Sequence, residues 1–388
     1  MVKRKPMIFD DINIDKEPMD DNDRITRLPN DVIHYMYSFM DSRCIVQSSA
    51  LSRRWIHKWR SHPYLNFETL PFTNKKFPKF MHRFLTNRKN DAEIVAIDFR
   101  STSIRLSLLK EVISYAMSHG TQKINIEYPS LIPTRRGGFD LSLFKSHFLQ
   151  DLCLNIDFEL FKTPNLTWDL PVLTTLHLER VSFLLYPTDN KSLDLFSTFS
   201  NLKNLVLVDC QLWRVNTFYI TSSKLENLRL NILHHSCQFV ISAPKLSSFT
   251  YHRMDHSFLL LTSDLNSLET VVFRTIYDNR SMGEQQKNVE LMINIFHQMC
   301  NTKFLTLNTA TLKFLSRFPE LLKSKISPFV RLQTLTLNEM PPSSVDLADI
   351  ISYFRSCVPD RLFFVEYYPE LWSILDMKSI EKIIIRFD

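Results

Sequence analysis

The apolar residues of this chain recur in one hexamer, L-x-x-L-x-L. It stands complete at Leu149/Leu152/Leu154, Leu173/Leu176/Leu178, Leu202/Leu205/Leu207, Leu225/Leu228/Leu230 and Leu332/Leu335/Leu337. Looser copies read Ile94/Ile97/Phe99, Leu246/Phe249/Tyr251, Leu268/Val271/Phe273 and Ile380/Ile383/Ile385, with Thr302/Leu305/Leu307 and Leu362/Val365/Tyr367 as further candidates. Starts at 149, 173, 202, 225, 246 and 268 are 24, 29, 23, 21 and 22 residues apart. The last two positions of each hexamer lie two apart, on one side of a short strand, and the first lies on the turn that enters it. A unit this small becomes stable only by stacking on its neighbours. The pattern therefore predicts an α/β solenoid with a parallel sheet on its concave side and the returns on its convex side. Helical spacing predicts helices in three returns: Leu109, Val112, Ile113, Ala116 and Met117; Val289, Met292, Ile293, Phe296 and Met299; and, capped by Ser344, Leu347, Ile350, Ile351 and Phe354.

The N-terminal part has a different rhythm. Leu28-Pro29 is an extended entry, because Pro fixes its own φ and pushes its predecessor away from helix. Pro29 suits the first turn of a helix on which Val32, Ile33, Met36, Phe39 and Met40 form one apolar stripe. Ile45, Val46 and Ser49-Ala50 fit a second short helix. Ser52 fits the N-cap of a third, bearing Trp55 and Trp59 one turn apart. Three helices in about forty residues bury little surface alone, which suits either a cap on the following domain or a module completed by a partner's helices. Further on, Phe77, Phe80, Met81, Phe84 and Leu85 predict a connecting helix over 77–87.

The motif Leu28-Pro29-x-Asp31, then Met36-x-Ser38-Phe39-Met40, then Ser49-x-Leu51-Ser52-x-Arg54-Trp55-x-x-x-Trp59 resembles an F-box. With a repeat spacing that is the leucine-rich-repeat period, the chain is similar to plant F-box/leucine-rich-repeat proteins. Met36 and Met40 stand where that family more often has Ile and Leu, a change that keeps apolar volume. The resemblance implies an N-terminal three-helix F-box followed by an irregular leucine-rich-repeat solenoid. It implies docking on a Skp-type adaptor, and through it on a cullin-RING ubiquitin ligase, by Leu28, Pro29, Val32, Ile33, Met36, Phe39, Met40, Leu51 and Trp55. On this reading residues 1–22 are an acidic tail, 23–70 the F-box, 71–92 a helical connector, and 93–388 the solenoid with its C-terminal cap. Many plant relatives end in a further C-terminal domain, to which this chain shows no clear match.

Charge and composition narrow the picture. A chain of 388 residues with 44% hydrophobic content can build a large core or an elongated stack. A net charge of +6 is mild at this size and is not clustered with aromatics, which argues against nucleic acid as a partner. The sequence holds no 18-residue apolar run and no signal peptide after Met1, so the expected setting is nucleus and/or cytoplasm, away from membranes. Cys44, Cys153, Cys210, Cys237, Cys300 and Cys357 are scattered without a C-x-x-C pair, the usage of reduced thiols. Asp10, Asp11, Asp15, Glu17, Asp20, Asp21 and Asp23 crowd a segment with few large apolar residues, a composition expected to stay disordered.

Cargo recognition is expected from sheet positions that alternate with the buried ones. They include Thr175, His177 and Glu179; Asn204, Val206 and Val208; Asn227, Arg229 and Asn231; Ser248, Thr250 and His252; Thr270, Val272 and Arg274; and Thr334, Thr336 and Asn338. His177, Asn204, Arg229, His252 and Arg274 are the candidate substrate contacts. The basic members suit an acidic or phosphorylated protein, and an ordinary solvated face accounts for the same pattern. Catalytic signals are weak. Four glycines, Gly120, Gly137, Gly138 and Gly283, give no G-x-G-x-x-G or P-loop. His234-His235-x-Cys237 has no second ligand pair at zinc-like spacing. No motif calls for a cofactor, including a phosphate-rich one inside the solenoid. The function read from sequence is a noncatalytic substrate-recognition subunit of an SCF-type ligase. The alternatives are a leucine-rich-repeat scaffold without ligase recruitment and, further off, a nucleic-acid-binding solenoid.

Overall fold

A computed structural model of the chain describes residues 27–51, 53–69, 76–101, 106–128, 145–163, 168–185, 191–231, 237–253, 259–262, 265–276, 281–338, 347–356, 363–369 and 381–387. The acidic tail, Ser52, Arg135 to Gly138, His234-His235, Ser344 and Cys357 lie outside the described residues.

The chain enters through two short helices, α1 (Asn30–Tyr37) and α2 (Ser42–Gln47). Asp41 caps α2, its Oδ1 accepting from the Cys44 backbone N–H at 2.9 Å. The third helix expected from Trp55 and Trp59 is instead two tight 3-10 turns, Arg53–Trp55 and Lys58–Ser61. A bend between the turns lets both indoles reach the interior, where both are buried. Strand β1 (Tyr64–Glu68) follows, then helix α3 (Lys76–Thr86). Phe77, Met81, Phe84 and Leu85 form the buried face of α3. Phe84 packs on Trp59 and Phe67 with ring centroids 5.0 and 5.3 Å apart. Arg88, just past α3, is buried and donates to the His62 carbonyl at 2.8 Å. Aromatic packing and this charge-assisted bond fasten the entry helices to the first strand.

The remainder is a parallel-strand solenoid, the architecture expected of leucine-rich repeats. After β2 (Ala96–Arg100), helix α4 (Leu106–Ser118) and β3 (Lys123–Tyr128) come two long strands, β4 (Asp151–Thr163) and β5 (Thr175–Leu185). The central strands are β6 (Ser192–Asp194), β7 (Asn204–Val208), β8 (Gln211–Trp213), β9 (Thr217–Thr221), β10 (Asn227–Asn231), β11 (Gln238–Ser242), β12 (Ser248–Arg253), β13 (Leu259–Leu261) and β14 (Thr270–Thr275). Then follow helix α5 (Met282–Gln298), β15 (Phe304–Asn308), α6 (Thr309–Ser316), α7 (Pro319–Lys323), β16 (Thr334–Asn338), α8 (Leu347–Arg355), β17 (Phe363–Pro369) and β18 (Glu381–Phe387).

The main sheet runs β1-β2-β3-β4-β5-β7-β10-β12-β14-β15-β16, every neighbouring pair parallel. At the repeat positions its register is constant, although the β4–β5 pairing shifts beyond Asn155: Leu152, Leu176, Leu205, Leu228, Phe249, Val271, Leu305 and Leu335 stand opposite one another from strand to strand. All are buried, as are the leading residues Leu149, Leu173, Leu202, Leu225, Leu246, Leu268 and Leu332. A turn closes at several of these leads. The Leu202 N–H donates to the Phe199 carbonyl at 3.2 Å and the Leu268 N–H to the Leu265 carbonyl at 3.1 Å. Each buried leucine contributes about 1.5–3 kcal/mol, and one ladder combines them into a continuous core.

One expectation needs correction, and one element was not foreseen. Ile380/Ile383/Ile385 and Leu362/Val365/Tyr367 read as further repeats, but β18 pairs antiparallel with β16, and β17 antiparallel with β18. Both segments form a hairpin on the last repeat strand, because alternation alone does not fix strand direction. The convex side is not only helix and loop. In its middle, β6, β9, β11 and β13 form a second parallel sheet of four strands. Phe218, Ile220, Phe239, Ile241, Leu259 and Leu261 face inward from it. Aromatic and β-branched residues at a spacing of two suit this sheet.

Candidate functional site

Two surfaces carry the candidate residues, and α1 presents the first. Pro29 stands at its N-cap position with φ −55° and ψ 150°, and the Pro29 carbonyl accepts from the Ile33 N–H at 3.1 Å. Ile33 and Tyr37, one turn apart, are buried against Ile45 and Trp55. The Tyr37 ring meets Trp55 edge-on at 5.8 Å, and its hydroxyl lies 2.8 Å from the Ser48 hydroxyl. Leu28 and Met40 are partly buried beside this core. The opposite face of α1 and the turn that follows it are also apolar: Val32 is 40% exposed, Tyr35 67%, Met36 40% and, just past the helix, Phe39 73%, with Leu51 at 58%. Tyr35 and Phe39 pack edge to face, 5.0 Å between centroids.

The stripe expected on α1 therefore divides between two faces. Ile33 and Trp55, expected as adaptor contacts, lie inside the chain's own core and support the exposed face from behind. Val32, Met36 and Phe39 point outward, and Tyr35 joins them. Sequence reasoning missed Tyr35, although its i,i+4 spacing from Phe39 was visible. A helix apolar on both faces fits burial between two bodies. The chain covers one face, and the described residues leave the other in solvent.

Behind this helix two histidines stack. His34 and His62 lie 7° from parallel, with ring centroids 5.6 Å apart and Nδ1 atoms 3.3 Å apart. Burial, with His34 and Arg88 adding, pushes His62 down to about 3. His62 is therefore neutral at physiological pH.

The second surface is the concave sheet. The register aligns Asn66, Asp98, Asn125, Cys153, His177, Val206, Arg229, Thr250, Val272, Thr306 and Thr336 in one row. A neighbouring row holds Glu68, Arg100, Glu127, Asn155, Glu179, Val208, Asn231, His252 and Arg274. At the N-terminal end the charges neutralise one another. Arg100 meets Asp98 at 2.9 Å and Glu127 at 3.8 Å, and Lys123 meets Asp151 at 2.9 Å. Arg180, at φ 58°, donates to the Asn155 side chain at 3.0 Å.

Two candidate substrate residues are engaged within the chain. His177 has the Cys153 thiol 3.5 Å from Nδ1 and Glu179 3.7 Å from Nε2. Burial chiefly holds its pKa below the usual imidazole range. Asn204 sits in an amide ladder, donating to Thr175 at 3.2 Å and accepting from Asn227 at 2.7 Å. Arg229, His252 and Arg274 are placed differently. Arg229 is exposed, and the Arg274 Nε is buried with no hydrogen-bond partner. Burial lowers the His252 pKa first, then Arg274; Arg229 adds to the lowering and Asp209 opposes it.

The buried thiols are poor nucleophiles. Burial pushes Cys153 up to about 11 and Cys210 and Cys237 up to about 12, which keeps them protonated at neutral pH. Among the described residues no group of three His, Cys, Asp or Glu side chains is arranged to hold a metal. No helix among them is long and apolar enough to cross a membrane. The chemistry these surfaces offer is recognition: an apolar helix face at one end and a polar sheet in the middle.

No family model matches the chain. Known proteins similar to it carry F-box and leucine-rich-repeat names. F-box/LRR-repeat protein 25 of Arabidopsis thaliana is 26% identical over 218 residues, 56% of this chain and 78% of that protein. A putative F-box/LRR-repeat protein of the same plant is 28% identical over 59% of this chain, and the match spans 55% of that relative's length. A putative Arabidopsis thaliana F-box/FBD/LRR-repeat protein is 21% identical over 94% of this chain and 86% of its own. The chain thus resembles Arabidopsis F-box/LRR-repeat and F-box/FBD/LRR-repeat proteins at modest identity.

Proposed function

We propose that this chain is a noncatalytic substrate-recognition subunit of an SCF-type ubiquitin ligase. Residues 23–70 serve as the adaptor-docking unit, 71–92 as a stiff connector, and 93–388 as the cargo-holding solenoid with its cap. The observation that carries the reading is the second apolar face of α1, uncovered among the described residues of a chain that is similar over 94% of its length to a protein named for an F-box. Val32, Tyr35, Met36, Phe39 and Leu51 meet a Skp-type adaptor, with Leu28, Pro29 and Met40 at the margin. Ile33 and Trp55 fix the angle of α1. The adaptor links the chain to a cullin-RING ligase, so ubiquitin transfer takes place on other subunits. The cargo is a protein held on the concave sheet around Asn204, Arg229, His252 and Arg274, with His177 at its edge. The junction at Trp59, Phe84 and Arg88 keeps the distance between the two surfaces constant, which a ligase receptor requires.

Co-purification with a Skp-type adaptor tests this reading. Wild type is compared with Tyr35→Ala/Phe39→Ala and with Leu28→Ala/Pro29→Ala, folding being checked by circular dichroism. A stable 1:1 complex with wild type that both folded variants lose is the expected result. Folded wild type that binds none of several such adaptors would leave an interaction scaffold without ligase recruitment as the better account.

A further inference from the structure

On the concave sheet, Arg100, Lys123 and Arg180 each have a carboxylate or amide oxygen of the chain as partner. In the middle of the same sheet Arg229 and Arg274 have no carboxylate partner among the described residues. They stand on β10 and β14, either side of β12, which carries His252. His252 lies directly opposite Arg274 in the ladder, and Arg229 lies opposite Thr250, one step along the same face. Strands are about 4.8 Å apart and residues about 3.3 Å along a strand, so the two stems rise about 12 Å apart on a diagonal that passes between Thr250 and His252. The next side chain in the row of His252 and Arg274 is Asn231, whose Oδ1 is also buried without a hydrogen-bond partner. The unpaired Arg274 N–H calls for a ligand acceptor such as a phosphate oxygen, and the unpaired Asn231 Oδ1 for a ligand donor such as a peptide N–H beside it.

We propose that Arg229, His252 and Arg274, with Asn231 beside them, form a cradle for one phosphorylated side chain of an extended peptide. Its chemistry favours a phosphomonoester over a run of carboxylates. Two forked cations and an imidazole supply more donors than one carboxylate can accept, whereas a phosphomonoester offers three oxygens and nearly two charges. The cradle is bordered by Val206, Val208, Thr250 and Val272, which are neutral. Beyond them toward the N-terminus, Asp98, Glu127 and Asp151 already hold Arg100 and Lys123, so those cations are not open to a long acidic tract. Asp209, which opposes the lowering at His252, adjoins the cradle in a left-handed conformation, φ 49°, its N–H donating to the Asn231 carbonyl at 2.7 Å. A single anion flanked by small apolar residues suits this distribution. The inference deepens the function proposed above and rests on it only in calling the peptide cargo.

The test uses the full chain and calorimetric titration at constant ionic strength. The probes are inorganic phosphate and a short peptide with one phosphoserine between valines, together with its serine and glutamate forms. Expected is phosphopeptide binding at least about tenfold tighter than either control peptide and than inorganic phosphate, which competes for the same site. Arg229→Gln and Arg274→Gln each weaken it about tenfold or more, while Arg100→Gln, at a paired arginine on the same face, changes it less than about twofold. Equal affinity for the serine peptide, or no effect of phosphate, overturns the proposal. A glutamate peptide that binds as tightly overturns the phosphate assignment, and inorganic phosphate that binds as tightly overturns the peptide. An Arg100→Gln loss as large as that of Arg274→Gln reduces the effect to general charge and also overturns it. Adaptor capture through α1 is measured separately, so either conclusion fails without the other.

Discussion

Strand β7 and helix α1 use their apolar residues in opposite ways. On β7, Leu205 and Leu207 disappear into the ladder and the alternate residues Asn204, Val206 and Val208 form the open face. On α1, Ile33 and Tyr37 are sufficient for the chain's own core, yet Val32, Tyr35, Met36 and Phe39 remain outside it. A strand buries one face in two, so its large apolar residues are accounted for by the fold, and only the half-buried Val206 and Val208 face out. The helix carries more apolar surface than this fold takes up. That surplus, rather than hydrophobicity itself, marks a contact with something else.

The sharpest way to break this contrast is truncation within the ladder. Leu207→Ala should cost about 2–5 kcal/mol of unfolding free energy, read by urea denaturation. A loss below 1 kcal/mol would mean the ladder is not the core. A second test uses acid. His62 is 1% exposed and held down at about 3, while its ordinary value is 6.5. As pH falls from about 6.5 toward 3, the unfolded chain takes up a proton that the folded chain refuses. Stability therefore declines in that window, by up to about 1.4 kcal/mol per pH unit, and this group adds no slope above pH 7. His62→Gln should flatten that part of the profile, and an unchanged acid slope would disprove the assignment.

Smaller effects sharpen the comparison. Helix α5 holds its own start through a capping box, the Ser281 hydroxyl accepting from the Glu284 N–H while Glu284 accepts from the Ser281 N–H. Helix α1 has no side-chain cap and leans on tertiary contacts. Ser281→Ala should cost about 1 kcal/mol in thermal denaturation. Least of all, Phe39→Ala should alter stability within about 0.5 kcal/mol while abolishing adaptor capture. A Phe39→Ala loss as large as that of Leu207→Ala would erase the distinction between the two elements.

What could be read from the sequence follows from how locally each feature is determined. The ladder was legible because each hexamer states its own inward face, and nine strands of the parallel sheet carry one, whereas β1 and β3 do not. The second sheet was not, because β6 and β13 are three residues long and alternate too briefly to announce a period. The antiparallel turn of β17 and β18 was hidden because inward-facing positions look the same in either direction. On α1 the apolar residues were found but not their division, which depends on where Ile45 and Trp55 come to lie. On the concave face, sequence placed Arg229, His252 and Arg274 among the outward residues. It could not tell that Arg100 is neutralised by its neighbours and Arg274 is not, because pairing depends on cross-strand register.

The direction of β18 also bears on how such a chain can lengthen. A unit copied from the middle of the solenoid brings a strand with a parallel neighbour before it. Inserted anywhere up to β16 it finds one, and a copy that follows β16 takes over the place of β16 against the antiparallel β18. The β17–β18 hairpin therefore tolerates the gain or loss of units before it, and travels outward unchanged.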